Sequence, residues 1–268
     1  MENTAFDRIK EFALRLIVDA DSLAMQHYAE IEKFSYKNTR DIVTKADVEV
    51  EEYIRQRIKE VYPEHNIIGE ELSKEENQNN YTWLIDPIDG STNFAHKIPY
   101  FSIAIALQHN DTVIFSAISH PPSGIVFYAG AGEGAYLGEK KLMQTSDKKM
   151  EDSFISFCHA SDNDSIKRIS SVYEAFKLKT LDFRKLGSAN LEICYTAAGF
   201  ISGFIGYKIK PWDFKGACLI AEEAGCKVTG LNGEDWQNPQ IDSVIVAPPH
   251  LHQLLVEEFS KQPKKASK

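Results

Sequence analysis

The run Asp86-Pro87-Ile88-Asp89-Gly90-Ser91-Thr92-Asn93 concentrates more reactive chemistry than any other stretch of this 268-residue chain. Two carboxylates three residues apart follow the apolar triplet Trp83-Leu84-Ile85. With Pro87 stiffening the turn, both side chains and the Ile88 carbonyl can face one point, an oxygen-only set of the kind hard cations such as Mg²⁺ select. Gly90-Ser91-Thr92 then opens a predicted helix, whose first N–H groups have no intrahelical partner and can hold a phosphate. The plain alternative is a tight Asp89-Gly90 turn with Asp86 as a helix cap. Cation ligands and a phosphate cradle within a few residues favour metal-assisted phosphate chemistry over that alternative.

Two other places could complete such a site. Gly69-Glu70-Glu71 follows the apolar pair Ile67-Ile68, so Glu70 could ligate a metal and polarise a water, although paired glutamates before a polar segment also read as solvated surface. Lys210-Pro211-Trp212-Asp213 precedes an apolar helical stretch, where Asp213 is either an N-cap or a ligand for a second metal. His250 and His252 have ligand-like spacing but follow Pro248-Pro249 and lack an acidic partner, so they read as ordinary histidines.

The elements that must position these residues can be read from periodicity. Residues 5–30 predict a long amphipathic helix with Phe6, Ile9, Phe12, Ala13, Leu16, Ile17, Leu23 and Ala24 on one side. A second helix is predicted over 47–61, ending before Pro63, with the polar stretch 37–47 between them as a loop. Residues 73–81 read as an exposed excursion. Strands are predicted at 83–85, 102–107, 113–119 and 125–129, and a glycine-rich hairpin at 130–138, so the first portion reads as helices on an antiparallel sheet. The second portion alternates: strands at 154–158, 181–185, 203–207, 228–229 and 244–247, and helices at 165–176, 188–198, 213–224 and 251–259. That alternation implies α/β layering. Residues 1–150 and 151–268 are two portions packed as one body, with a disordered tail at 261–268.

Composition narrows the function classes. Hydrophobic content of 43% and charged content of 26% are ordinary for a globular chain, and the net charge is −9. An acidic surface argues against general nucleic-acid binding but not against a small anionic substrate held through cations. No window reads as a membrane span and the first 30 residues lack a signal-peptide core. Cys158, Cys194, Cys218 and Cys226 are scattered, without a Cys-x-x-Cys pair, so the default is a reduced, cytoplasmic protein without a disulfide framework.

Taken in order, Glu70, then Asp86-Pro87-Ile88-Asp89-Gly90-Ser91, then Pro211-Trp212-Asp213 resembles the inositol monophosphatase family, a lithium-sensitive group of Mg²⁺-dependent phosphatases. The resemblance runs from Asp41-Ile42-Val43-Thr44-Lys45-Ala46-Asp47 to Trp212-Asp213-Phe214-Lys215-Gly216-Ala217 and Glu223-Ala224-Gly225. It implies a layered αβαβα sandwich of the inositol monophosphatase/fructose bisphosphatase type, mixing α+β and α/β character, and a homodimer. It implies two or three Mg²⁺ ions: Glu70, Asp86 and the Ile88 carbonyl at one, Asp86, Asp89 and Asp213 at a second. Gly90 and Ser91 would donate backbone N–H bonds to the phosphate. Glu70 and the Ser91 hydroxyl, oriented by Asp47, would activate water without a covalent intermediate. Thr is the commoner family residue at the place of Ser91, and Ser keeps the hydroxyl. Lys37 would lie near the phosphate or a third, weaker metal.

Gly187-Ser188-Ala189 matches the family's substrate-side loop, and equally reads as a strand-to-helix turn with Ser188 near the cap. The chain departs from inositol-selective members at Gly206, where a Glu contacts a sugar hydroxyl, and at Lys210, where His is frequent. The expected substrate is therefore a phosphate monoester of inositol or a related sugar or polyol. Related enzymes acting on 3′-phosphoadenosine 5′-phosphate, NADP, fructose 1,6-bisphosphate or histidinol phosphate supply the alternative, and a regulatory binding protein is the reading from another class.

Overall fold

Ile9, Ala13, Leu16, Ile17, Ala20 and Ala24 recur at helical spacing and are all buried, and they form the inner face of helix α1, Asn3–Glu30. The computed structural model describes residues 3–30, 34–38 and 40–262, with the side chains of 3–6, 36–38 and 41 outside that description. A short antiparallel hairpin follows, β1 (Ser35–Asn38) on β2 (Asp41–Val43). Next come α2 (Lys45–Val61), β3 (Asn66–Gly69), β4 (Tyr81–Asp89) and the single-turn α3 (Ser91–Ala95). Strands β5 (Ser102–His109), β6 (Thr112–His120), β7 (Ile125–Gly130), β8 (Gly134–Leu137) and β9 (Lys140–Lys141) complete a seven-stranded sheet in the order β3-β4-β5-β6-β7-β8-β9.

The second portion contributes β10 (Phe154–His159), α4 (Asn163–Lys179), β11 (Asp182–Arg184), α5 (Ala189–Ala197) and β12 (Gly203–Tyr207). It ends with α6 (Pro211–Glu223), β13 (Lys227–Thr229), β14 (Val244–Ala247) and α7 (Pro249–Lys261). Its five strands form a second sheet, β11-β10-β12-β14-β13.

Alternation along the strands fixes the layers. In β4 and β5, Trp83, Ile85, Ile103, Ile105 and Leu107 pack with α1 and α2, whereas Leu84, Ala104 and Ala106 face α5 and α6. In the second sheet, Phe204, Val244 and Val246 face the same middle helices, and Ile205, Ile245 and Ala247 face α4 and α7. The result is five layers, α1/α2, sheet, α5/α6, sheet, α4/α7, which is the αβαβα sandwich that the family resemblance implies. The middle core draws side chains from both portions of the chain. Among the described residues, no helix is long and apolar enough to cross a membrane.

Four local expectations are corrected. The stretch 37–47 is not all loop: β1 and β2 pair across it, a contact between two segments too short to show periodicity. The first sheet is mixed rather than antiparallel, because β3 runs parallel to β4. The excursion between them carries the chain back to start β4 in the same direction, and it is tied down where Glu75 bridges Ile67. Strand β4 does not stop at Asp86-Pro87 but continues to Asp89. Asp86 pairs with Ala104 and Asp89 with Ser102, three steps against two, so the extra residue forms a bulge. Pro87 lies there, past the last pairing with β3 at Ile85, where no ladder needs its N–H. Finally, Lys261 is the last residue of α7; of the tail expected to be disordered, 263–268 lie outside the described residues.

Candidate active site

Parallel register puts Gly69 beside Ile85, so Glu70, the first residue past β3, and Asp86, the next along β4, emerge side by side. Helix α6 brings Asp213 to them from the middle layer. Glu70, Asp86 and Asp213 each offer a carboxylate oxygen within 4.8 Å of the others. They line a cleft of about 420 Å³ with Ile88, Asp89, Gly90, Ser91, Asn93, Cys158, Lys185, Gly187 and Ala189. Every metal ligand expected from the sequence is thus at one cleft, with the tightest grouping formed by Glu70, Asp86 and Asp213.

Asp213 is not the N-cap of its helix. Lys210 caps α6, Pro211 is the first helical residue, and Asp213 is the third; its Oδ2 accepts the Lys210 N–H at 2.8 Å. Asp47 has the same place on α2, where its Oδ2 accepts the Thr44 N–H at 2.8 Å and Thr44 Oγ1–H at 2.6 Å. Its other oxygen, Oδ1, lies 2.8 Å from Ser91 Oγ. That hydroxyl is also 3.0 Å from the Ile88 carbonyl oxygen, and its single proton serves one acceptor at a time. Donated to Asp47, it leaves the Ser91 lone pairs open to accept a hydrogen bond from water.

Asp89 is held differently. Its Oδ2 accepts from Ser188 Oγ at 2.7 Å, Asn190 N at 2.8 Å and Ser102 Oγ at 3.1 Å. Its Oδ1 accepts from Ala189 N at 3.1 Å, and one acceptor position on that oxygen remains. Ser188 is therefore turned inward, buried against Asp89, while its neighbours Gly187 and Ala189 line the cleft. It is the N-cap residue of α5, yet its hydroxyl serves Asp89 rather than that helix's N–H groups. Lys37 lies on β1, with its side chain outside the described residues.

The Ile88 side chain packs with Ala46, Phe94 and Phe101, anchoring the turn. Gly90 follows at φ +104°, and a Cβ there would stand 2.9 Å from the Gly187 carbonyl oxygen. This approach of backbone to backbone closes the cleft between α3 and the α5 loop. Asn93 locks it further by donating to the Tyr100 carbonyl at 2.8 Å and the Leu186 carbonyl at 3.0 Å. Asn93 and Ser102 have no assigned role in the sequence reading. Ser102 could have been found only from strand register, because it is the β5 partner of Asp89.

Electrostatics follow from crowding. Burial, then the charges of Glu70, Asp89, Asp213 and Asp47, push the Asp86 carboxyl well above the usual carboxylate range. Burial, then Glu70 and Asp89, does the same to Asp213 despite the opposing Lys210 N–H. Asp86 Oδ1 is buried and has no hydrogen-bond partner among the described residues. An oxygen-only cluster of crowded carboxylates with an orphaned buried oxygen fits a hard divalent cation, which would relieve both the repulsion and the missing partner. Cys158 is no competing nucleophile: burial pushes its thiol up to about 12, so it stays protonated. His252 is buried 3.0 Å from Thr229 Oγ1 and His250 is exposed, so neither joins the cleft.

Comparison with known proteins agrees with this geometry. An inositol-1-monophosphatase of Bacillus subtilis is 30% identical over 259 residues, covering 96% of this chain and 98% of its own. A Nus factor SuhB of Vibrio cholerae is 34% identical over 210 residues, 76% of this chain and 78% of its own. Among solved structures, an IMPase of Thermotoga maritima superposes with a TM-score of 0.87 at 28% identity, covering 95% of this chain and 97% of that one. The inositol monophosphatase family matches residues 6–264. With its carboxylate cluster, bulged strand and five-layer sandwich, the chain belongs to the inositol monophosphatase family and is by class a phosphoric monoester hydrolase.

Proposed function

We propose that the protein is a Mg²⁺-dependent phosphatase of inositol or a related sugar or polyol monophosphate. The observation that carries this reading is the grouping of Glu70, Asp86 and Asp213 within 4.8 Å beside the Ser91–Asp47 hydrogen bond. Glu70, Asp86, Asp213, the Ile88 carbonyl and the remaining acceptor position of Asp89 would hold the cations. When bound, they supply neutralising charge for the phosphate and acidity for a neighbouring water.

The chain's own groups do the rest. N–H groups of Gly90 and Ser91, at the start of α3, receive phosphate oxygens. Ser91, with its proton committed to Asp47, accepts one hydrogen bond from the attacking water and so aims it. The Glu70 carboxylate takes the proton that water releases. The loop Gly187-Ser188-Ala189 closes the sugar side, with Ser188 acting through Asp89 and its two neighbours facing substrate.

Strict inositol selectivity is not part of the reading. A Cβ on Gly206 would come within 2.7 Å of Ile209 Cδ1 and 3.1 Å of Phe204 Cε1, so the space a glutamate would need is filled by apolar side chains. Purified protein with Mg²⁺ should release phosphate from inositol 1-phosphate, glycerol 2-phosphate or a hexose phosphate, and Li⁺ should inhibit. Release from none of these sinks the proposal. Preference for a 3′-phosphonucleotide or NADP would move the substrate to the nucleotide class. The similarity to a Nus factor favours one second reading, a regulatory binding protein, for which no substrate on the panel would be turned over.

A further inference from the structure

Glu51 lies one turn after Asp47 on α2, fully buried, in a charged stretch whose periodicity gives it no special place. Its carboxylate reaches across to the segment that carries Glu70. Oε2 accepts the Glu71 N–H at 2.7 Å and Oε1 accepts the Leu72 N–H at 3.2 Å. Arg55, one further turn along and also buried, donates Nε–H to Glu51 Oε1 at 2.7 Å and reaches the Leu72 carbonyl at 3.2 Å and Glu75 at 3.1 Å. Lys59, a turn beyond, pairs with Glu75 at 2.7 Å. Three residues at i, i+4 and i+8 of one helix thus grip residues 71–75.

Gly69 gives an independent sign of the same contact. A Cβ there would fall 2.1 Å from Glu51 Oε1, and the glycine's backbone is not in the left-handed region. The carboxylate, not the chain's conformation, is what demands glycine. Glu51 therefore occupies space against the residue before Glu70 and bonds the N–H of the residue after it. A buried ion pair gains little over apolar packing as a source of stability, but no apolar side chain could hold two backbone N–H groups.

We propose that Glu51, braced by Arg55, is a positioning residue that fixes Glu70 in the carboxylate cluster and so sets the affinity of the site for divalent metal. This rests on Glu70 being a metal ligand. Partners that orient ligands in this way are worth roughly 10–100-fold in metal affinity.

The test is Mn²⁺ binding to the metal-stripped protein, read as free Mn²⁺ by electron paramagnetic resonance. Gly69→Ala displaces the Glu51 carboxylate without altering any charge, and Glu51→Gln removes one of its acceptor oxygens. Both should weaken Mn²⁺ binding about tenfold or more and raise the half-saturating Mg²⁺ for phosphate release. Ile58→Ala, a buried α2 change away from the grip, should lower the melting temperature and leave Mn²⁺ affinity unchanged. Wild-type affinity in Gly69→Ala overturns the proposal, as does an equal loss in Ile58→Ala, which would mean general loosening of α2. Should Glu51→Gln not fold, Gly69→Ala decides alone. Glu70→Gln separates the two levels: if it binds Mn²⁺ normally, the ligand assignment itself fails.

Discussion

Carboxylates in this protein are placed by what their second oxygen does. Asp47 and Asp213 each tie one oxygen to the N-cap N–H of their own helix, which fixes the side chain before any ligand arrives. Helix N-termini favour negative charge by a few tenths to about 1 kcal/mol. At Asp213 burial overrides this, so its carboxyl still sits well above the usual range. Glu192 is the clearest single case. It is buried beneath the Gly187-Ser188-Ala189 loop, and its Oε1 accepts Gly187 N at 2.8 Å and Leu186 N at 3.2 Å. Burial outweighs those N–H bonds and the Ser156 hydroxyl, and raises it from 4.5 to about 8. Between those values the folded protein keeps a proton that the unfolded chain releases. The resulting stability is complete below about pH 4.5 and is lost as pH rises through about 8, a change on the order of a few kcal/mol. Melting temperatures of wild type and Glu192→Gln, taken from pH 5 to 8 without divalent metal, should therefore diverge, with wild type falling relative to the variant. Parallel curves would contradict this account of Glu192.

Helix α6 shows how an element can be committed to the site. It must lie close enough to the first sheet for Asp213 to meet Glu70 and Asp86, and the sequence thins both surfaces to permit it. Ala104 and Ala106 face it from β5. A Cβ on Gly216 would stand 2.6 Å from Ser116 Oγ and 3.2 Å from Ala106 Cβ. Gly216→Ala should cost about 1–3 kcal/mol by overpacking, and adding Ser116→Ala should recover part of it, both measured by denaturant unfolding. Such close approaches explain what periodicity could and could not reveal. The long helix, the strands from 102 onward and the alternation of the second portion were legible, because each is a local pattern. The pairing of β1 with β2 and the bulge at Pro87 were not, since both depend on which strand lies alongside. Glu51 and Glu192 were invisible for a related reason. Their partners are backbone N–H groups of loops, at Glu71 and Leu72 for one and Leu186 and Gly187 for the other, and no residue type marks an N–H that needs an acceptor.

At the scale of the molecule, the two sheets and the helices between them bring Glu70 from just past β3, Asp86 from β4 and Asp213 from α6 to one rim, and the loop before α5 closes it. Asp86-Pro87-Ile88-Asp89 was legible as chemistry because its ligand types are adjacent in sequence. That Asp213 joins it across 127 positions came from the ordered resemblance, and the geometry of the cleft brings them together. The central claim is that this cluster works by holding divalent metal, and phosphate release from glycerol 2-phosphate tests it most directly. The protein is stripped with a chelator and then returned to Mg²⁺, with Asp86→Asn treated in parallel. The account predicts no release from stripped protein, recovery on adding Mg²⁺, and at least a hundredfold lower rate in Asp86→Asn, on the order of losing one electrostatic stabiliser of the transition state. Release that survives chelation, or an Asp86→Asn rate equal to wild type, would contradict it.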